Sequence, residues 1–190
     1  IPEGGGETLR VTDIGRHPAW SPDGLMLAFD WNGAIYTLPY GGGNSKRIIS
    51  VSDEPHLGWL PDGNHLIFWN RTQGDISIVD LNDKSVRHLG LIPTGQEVKG
   101  ISISPQRDLL VYSLGAFGGN KNLWLATFDA AAGQVIGTPR QLTVTTTNDE
   151  GVRFSRDGSK LAYAVKDIER HLWALDLDPA TGVATGEAQV

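Results

Sequence analysis

The sequence lacks several features on which whole classes of function depend. None of its 190 residues is a cysteine, which excludes disulfide bonds, thiolate catalysis and cysteine-ligated zinc. No apolar run approaches the roughly 20 residues that span a bilayer, so neither a transmembrane helix nor membrane insertion is predicted. There is no basic run, and the formal net charge is −6. Nucleic acid is therefore not an expected partner, because it binds cationic surfaces.

Catalytic and metal-binding signatures are missing as well. There is no Gly-x-Ser-x-Gly elbow, no His-Glu-x-x-His and no strand–glycine loop–helix unit for phosphates. Asp176 and Asp178 match part of a calcium loop, but Ala180 and Thr181 stand where an oxygen ligand and a glycine are needed. We therefore predict no catalytic residue, no cofactor, no metal site and no enzyme activity within this segment.

What the sequence does contain is a repeat. Four segments align: Trp20-Ser-Pro-Asp-Gly24, Trp59-Leu-Pro-Asp-Gly63, Ile103-Ser-Pro-Gln-Arg107 and Phe154-Ser-Arg-Asp-Gly158. Their first residues, the anchors, lie 39, 44 and 51 positions apart. This spacing is close to the period of a four-stranded propeller blade.

Each anchor is followed by apolar runs with a period of two, which is the period of strands rather than helices. Proline, aspartate and glycine after the anchor favour a tight turn between the first two strands. The predicted fold is all-β, a β-propeller of four-stranded antiparallel blades, with about four blades in this chain. We expect the anchors to pack between adjacent blades, because repeated sheets must cover one another's apolar faces.

The repeat also predicts the organisation of the chain as a single propeller segment, residues 1–190. Residues 1–12 match residues 38–49, so they are interpreted as the last hairpin of a preceding blade. The predicted blades are 13–52, 53–94, 95–147 and 148–190, the last with an incomplete final strand. We expect a part of a larger propeller, or one completed by self-association, because an open array leaves a sheet face uncovered. A closed four-blade ring is the alternative.

The Trp-Ser-Pro-Asp-Gly core resembles the TolB-type, WD-repeat-like propeller family, over roughly Thr8 to Val190. The third copy departs from it, with Gln106 and Arg107 in place of aspartate and glycine. The resemblance implies a non-catalytic module that binds a protein or peptide or serves as a sensor, in a bacterial periplasmic or extracytoplasmic setting. One alternative is the gating propeller of a prolyl-oligopeptidase-type serine peptidase, whose catalytic domain would lie outside this segment. Another is carbohydrate binding through loop tryptophans.

The first candidate site is a ring of charged residues at one mouth of the central channel. His17 and His56 each precede an anchor tryptophan by three positions. Acidic residues occupy similar places in all four repeats: Asp13, Asp53, Glu54, Glu97, Asp149 and Glu150. Such a ring would suit a cation or an amino group. The alternative is solvated loop charge with two histidines packed beside proline and tryptophan.

The second candidate site is formed by the loops between the second and third strands of each blade. These loops contain Trp31, Trp69, Arg71, Phe117 and Arg170. Aromatic residues mixed with arginine favour a surface that recognises proteins or peptides. Inter-blade packing is the alternative for Trp31 and Trp69.

Overall fold

The computed structural model describes residues 10–52, 54–105 and 108–167. These residues form fourteen β-strands. Within the described ranges, no helix is long and apolar enough to cross a membrane. Three features predicted from the sequence lie outside the described residues. They are the opening hairpin in residues 1–9, the later strands of the fourth repeat and the partial calcium-loop match at 176–187.

Three of the sheets have four antiparallel strands in sequence order. The first blade consists of Arg16–Trp20 (β1), Met26–Trp31 (β2), Ala34–Pro39 (β3) and Lys46–Ser50 (β4). The second consists of Gly58–Trp59 (β5), His65–Asn70 (β6), Asp75–Asp80 (β7) and Val86–His88 (β8). The third consists of Gln96–Ile103 (β9), Leu109–Ala116 (β10), Asn122–Asp129 (β11) and Gln134–Gln141 (β12). In the fourth blade, Asn148–Phe154 (β13) pairs with Leu161–Lys166 (β14).

The repeated turn joins the first two strands of a blade as expected. In the first blade, the Gly24 N–H donates to the Ser21 carbonyl at 2.9 Å, and Gly24 has φ of 74°. The Asp23 carboxylate accepts hydrogen bonds from the Ser21 hydroxyl, at 2.6 Å, and the Leu25 N–H, at 2.9 Å. The third copy lacks the aspartate and glycine, yet β9 and β10 still pair, with Ile103 opposite Leu110. Strand pairing therefore holds this hairpin without the consensus turn.

Apolar clusters fill the interfaces between successive blades, which we call joints. They combine Ala28 with Leu66 and Phe68 at the first joint, Ile67 and Trp69 with Val98 and Tyr112 at the second, and Val111 with Val152 at the third. Beside these clusters, the inner strands of neighbouring blades contact one another, β1 with β5, β5 with β9, and β9 with β13. Sheets stacked in this way around adjoining inner strands are the blades of a β-propeller. The predicted fold class is confirmed.

Candidate binding site at the axial mouth

The links between blades and the β2–β3 turn lie on the same face of the molecule. The Val51 N–H, in the first link, donates to the carbonyl of Gly33, in the β2–β3 turn, at 2.9 Å. The inner strands begin on this face. We call the surface formed there by His17, Glu54, His56, Glu97, Lys99 and Glu150 the axial mouth.

Backbone strain is concentrated at the axial mouth. His17, Glu54 and His56 have φ of 49°, 57° and 42°, a region that residues other than glycine seldom occupy. They are three of the five non-glycine residues with positive φ in the described ranges. Each such residue costs of order 1–3 kcal/mol, and such strain is often found at binding and switch sites. The surrounding structure of the first two blades must therefore offset this strain.

The two histidines lie side by side at the mouth, with ring centroids 5.3 Å apart. His17 Nδ1 lies 2.7 Å from the buried carboxylate of Asp30. Burial, together with the charges of His17 and Lys99, lowers the pKa of His56 to about 4. The His56 ring is therefore neutral at pH 7, and its buried Nε2 has no hydrogen-bond partner among the described residues.

A ladder of alternating charges runs outward from the mouth. Lys99 Nζ lies 2.8 Å from Glu54 and 3.8 Å from Glu97, and Glu97 lies 2.9 Å from Lys121 Nζ. Burial lowers the pKa of Lys99, but the hydrogen bond to Glu54 and the charges of Glu97, Glu54 and Glu150 outweigh it and raise the pKa overall. The hydrogen bond and charge of Lys99 in turn lower the pKa of Glu54. The hydrogen bond between Lys99 and Glu54 thus favours the charged form of both groups.

Lys121 connects the ladder to the loop between β10 and β11. Its ammonium donates to the carbonyls of Ala116 and Gly119, at 2.8 and 2.7 Å, besides pairing with Glu97. Only 3% of Lys121 is exposed. A buried ammonium with three acceptors fixes the loop that carries Phe117.

Phe117 and Arg71 form a contact across the second joint, at the rim of the same face. The Arg71 Cζ lies 5.5 Å from the centroid of the Phe117 ring, within the range of a cation–π interaction. Phe117 is 49% exposed, and Trp31 is also exposed. Trp69 is only 2% exposed and lies in the core cluster of the second joint, which agrees with the packing alternative for that residue.

The remaining predicted site residues are scattered. Asp13 lies outside the mouth, paired with Arg10 at 2.8 Å and largely exposed. Asp149 is fully buried; its carboxylate accepts a hydrogen bond from Thr143 at 2.6 Å, and its N–H donates to the Lys121 carbonyl at 3.0 Å. It therefore braces the third joint rather than facing the channel. Asp53 and Arg170 lie outside the described residues.

Sequence reasoning missed the two lysines and Arg153. Arg153 lines the channel below the mouth and donates to the Ile101 carbonyl at 3.0 Å. Lys99 could have been found, because Glu97 and Lys99 are two positions apart on one strand and so share a face. For Lys121 no sequence signal existed, since its partners come from another strand and from its own loop. Among the described residues, no group of three or more histidine, aspartate or glutamate side chains could hold a metal ion.

No family model and no curated protein matches the chain. Several solved structures are similar to it. TolB from Acinetobacter baumannii superposes with a TM-score of 0.63 at 21% identity, over 88% of this chain and 41% of that one. A putative TolB from Agrobacterium tumefaciens gives 0.63 and 21%, over 89% and 62%. A chain of a nidogen/laminin complex gives 0.60 and 18%, over 78% and 55%.

These similarities concern the fold. They confirm the propeller architecture that the resemblance to TolB-type repeats implied. The chain spans from 41% to 62% of the length of these three structures.

Proposed function

We propose that this propeller is a non-catalytic binding module that takes a basic group of a protein or peptide partner at the axial mouth. The observation that carries the proposal is the set of three carboxylates at the mouth, of which Glu97 is shared between the ammoniums of Lys99 and Lys121. Glu54, Glu97 and Glu150 all act on Lys99. The side chain of Glu54 is 47% exposed, so a lysine, an arginine or an amino terminus could reach it.

The mouth is preorganised for such a group. Glu54 and His56 have left-handed backbone conformations, and the hydrogen bond from Lys99 at 2.8 Å positions the Glu54 carboxylate, which lowers the entropic cost of ordering it on binding. His56 stays neutral near pH 7 and adds no positive charge that would repel a basic group.

The rim offers a second contact for a protein or peptide. Phe117 and Arg71 together present an exposed aromatic ring and a guanidinium, the residue types that dominate protein interfaces. The ladder through Lys99, Glu97 and Lys121 joins this rim to the mouth. A partner that covers both would meet a rigid surface.

Two further considerations bear on the proposal, the first on binding and the second on the cellular setting. Propellers similar in fold include a chain from a nidogen/laminin complex. The resemblance to TolB-type repeats is the basis for including a bacterial extracytoplasmic setting in the proposal.

The test is selection from a random peptide library on the immobilised chain. We expect peptides with lysine or arginine to be enriched, and we expect their affinity to fall at least tenfold in the Glu54→Gln, Glu150→Gln double variant. Acetylating the lysines of a selected peptide should have the same effect, since it removes the charge.

Asp13→Asn is the matched control, because Asp13 is an exposed carboxylate outside the mouth. It should bind the selected peptides as the wild type does. Enrichment of acidic peptides, or equal affinity for the double variant and the wild type, would contradict the proposal.

A further inference from the structure

Arg71 is an exposed cation on the same face of the molecule as the acidic mouth. Its guanidinium lies over the Phe117 ring, with Cζ 5.5 Å from the ring centroid, and it forms no ion pair with any other described residue. A guanidinium in contact with an aromatic ring still has N–H groups free at its edge, and these match the two oxygens of a carboxylate. Arg71 is therefore available to an acidic group of a ligand.

The Phe117 ring gives Arg71 a fixed support. The loop that carries Phe117 is held by the ammonium of Lys121, which donates to the Ala116 and Gly119 carbonyls. Only 3% of Lys121 is exposed, so the loop is anchored in the interior of the protein. Contact with this ring restricts the long Arg71 side chain before a ligand arrives, which lowers the entropic cost of ordering it on binding.

Arg71 also lies near the acidic mouth, across the first joint and its link. The Trp69 N–H donates to the carbonyl of Pro55, which is the residue after Glu54. Three peptide links and this hydrogen bond therefore connect Glu54 with Arg71. Since consecutive Cα atoms are about 3.8 Å apart, the Cα atoms of Glu54 and Arg71 are separated by at most roughly 18 Å, the length of about five extended residues. One short segment of a partner can contact both.

We propose that Arg71 binds a carboxylate of the partner while the mouth holds its basic group, so that the partner is a short peptide segment with both charges. This inference rests on the proposed function and adds the second charge that the partner must carry. The anion is a carboxylate because one guanidinium balances its single charge, whereas phosphate groups are bound by clusters of arginine.

The two opposite charges also give the bound segment one direction. A reversed segment places its acidic group against Glu54 and Glu150 and its basic group against Arg71, and both of these contacts are repulsive. A segment with basic residues alone leaves Arg71 without an acceptor. The surface thus selects its partner through repulsion as well as attraction.

The experiment repeats the peptide-library selection with three forms of the full chain: wild type, Arg71→Gln and Arg71→Glu. Peptides selected on the wild type should contain an acidic residue at a constant spacing from the basic one. Arg71→Gln should select the basic residue without the acidic one, and Arg71→Glu should select a second basic residue in its place. Changing the acidic residue of a wild-type peptide to its amide should weaken binding to the wild type by at least about threefold, and this arm leaves the protein unaltered.

Arg47→Glu is the matched control, because Arg47 is exposed on β4 of the first blade and its replacement changes the net charge by the same amount. It should select the same peptides as the wild type, and thermal melting of each variant checks that it is folded. Wild-type peptides without a preferred acidic residue, or the same peptides on Arg71→Glu as on the wild type, would overturn this inference and leave the proposed function standing. Equal affinity of the Glu54→Gln, Glu150→Gln variant and the wild type would contradict both.

Discussion

The ammonium of Lys121 lies 2.9 Å from the carboxylate of Glu97, and neither side chain is more than 11% exposed. The pair sits where the inner strand of the third blade meets the loop that carries Phe117. Two loop carbonyls, of Ala116 and Gly119, complete the set of acceptors around the ammonium. A buried lysine is rare unless it is paired. Here the ammonium is paired with Glu97 at the mouth and with the two loop carbonyls.

Removal of this buried charge should be costly. Lys121→Met leaves Glu97 as a buried carboxylate without its short ion pair, and breaking a buried pair from one side costs about 3–5 kcal/mol. The free energy of unfolding from urea titration measures the loss. Lys46→Met, at an exposed lysine on β4, is the control and should change stability by less than about 0.5 kcal/mol. Equal stability of the two variants would contradict the assigned role of Lys121.

Stability should fall on acidification through the titration of His56. Its pKa is about 4 in the folded chain, against an ordinary value of 6.5. Between these values the unfolded chain binds a proton that the folded chain does not, so the free energy of unfolding decreases as pH falls from 6.5 to 4. The whole effect is at most about 3 kcal/mol.

The measurement is urea unfolding at pH 7 and at pH 5. His56→Asn should flatten the dependence, and asparagine tolerates the left-handed backbone of this position better than most residues. An unchanged slope in that variant would assign the pH dependence to other groups.

The repeat made the architecture predictable. Anchors at blade-sized intervals, followed by apolar runs with a period of two, predict sheets that stack on one another through their apolar faces. The pairing of Trp20 with Leu27 and of Phe154 with Leu161 reproduces that expectation. Local rules were enough because the anchor pairs with a leucine of the second strand in all four blades, even in the third, which lacks the consensus turn.

The candidate site was less accessible to the same reasoning. Placement in the repeat predicted that His17, Glu54 and His56 lie near one another, and the structure places them at one mouth. The repeat pattern could not show that Asp149 is buried and accepts a hydrogen bond from Thr143. Nor could it show that Lys99 forms an ion pair with Glu54. Both facts depend on which side chains of neighbouring blades contact one another, and the repeat pattern alone does not predict those contacts.

The contact between Arg71 and Phe117 should be measurable as a coupling. Arg71→Gln and Phe117→Leu each remove one partner of the cation–π pair, and a double-mutant cycle isolates their interaction. We expect a coupling of about 0.5–1 kcal/mol in unfolding free energy, typical of an exposed pair. Arg47, in the first blade, supplies the control: Arg47→Gln combined with Phe117→Leu should be additive. A coupling of zero between Arg71 and Phe117 would mean that the rim does not bridge the joint.

The third joint should be intolerant of even one added methyl group. A Cβ on Gly100 would lie 2.9 Å from the backbone nitrogen of Gly151 and 3.0 Å from that of Val152, and backbone atoms cannot move aside without separating β9 from β13. Overpacking of this kind costs about 1–3 kcal/mol, so Gly100→Ala should lower the midpoint of urea unfolding. Gly41→Ala is the matched control, because nothing lies within 4 Å of its added Cβ. If the two variants were equally stable, the inner strands of the third and fourth blades would not be in direct backbone contact.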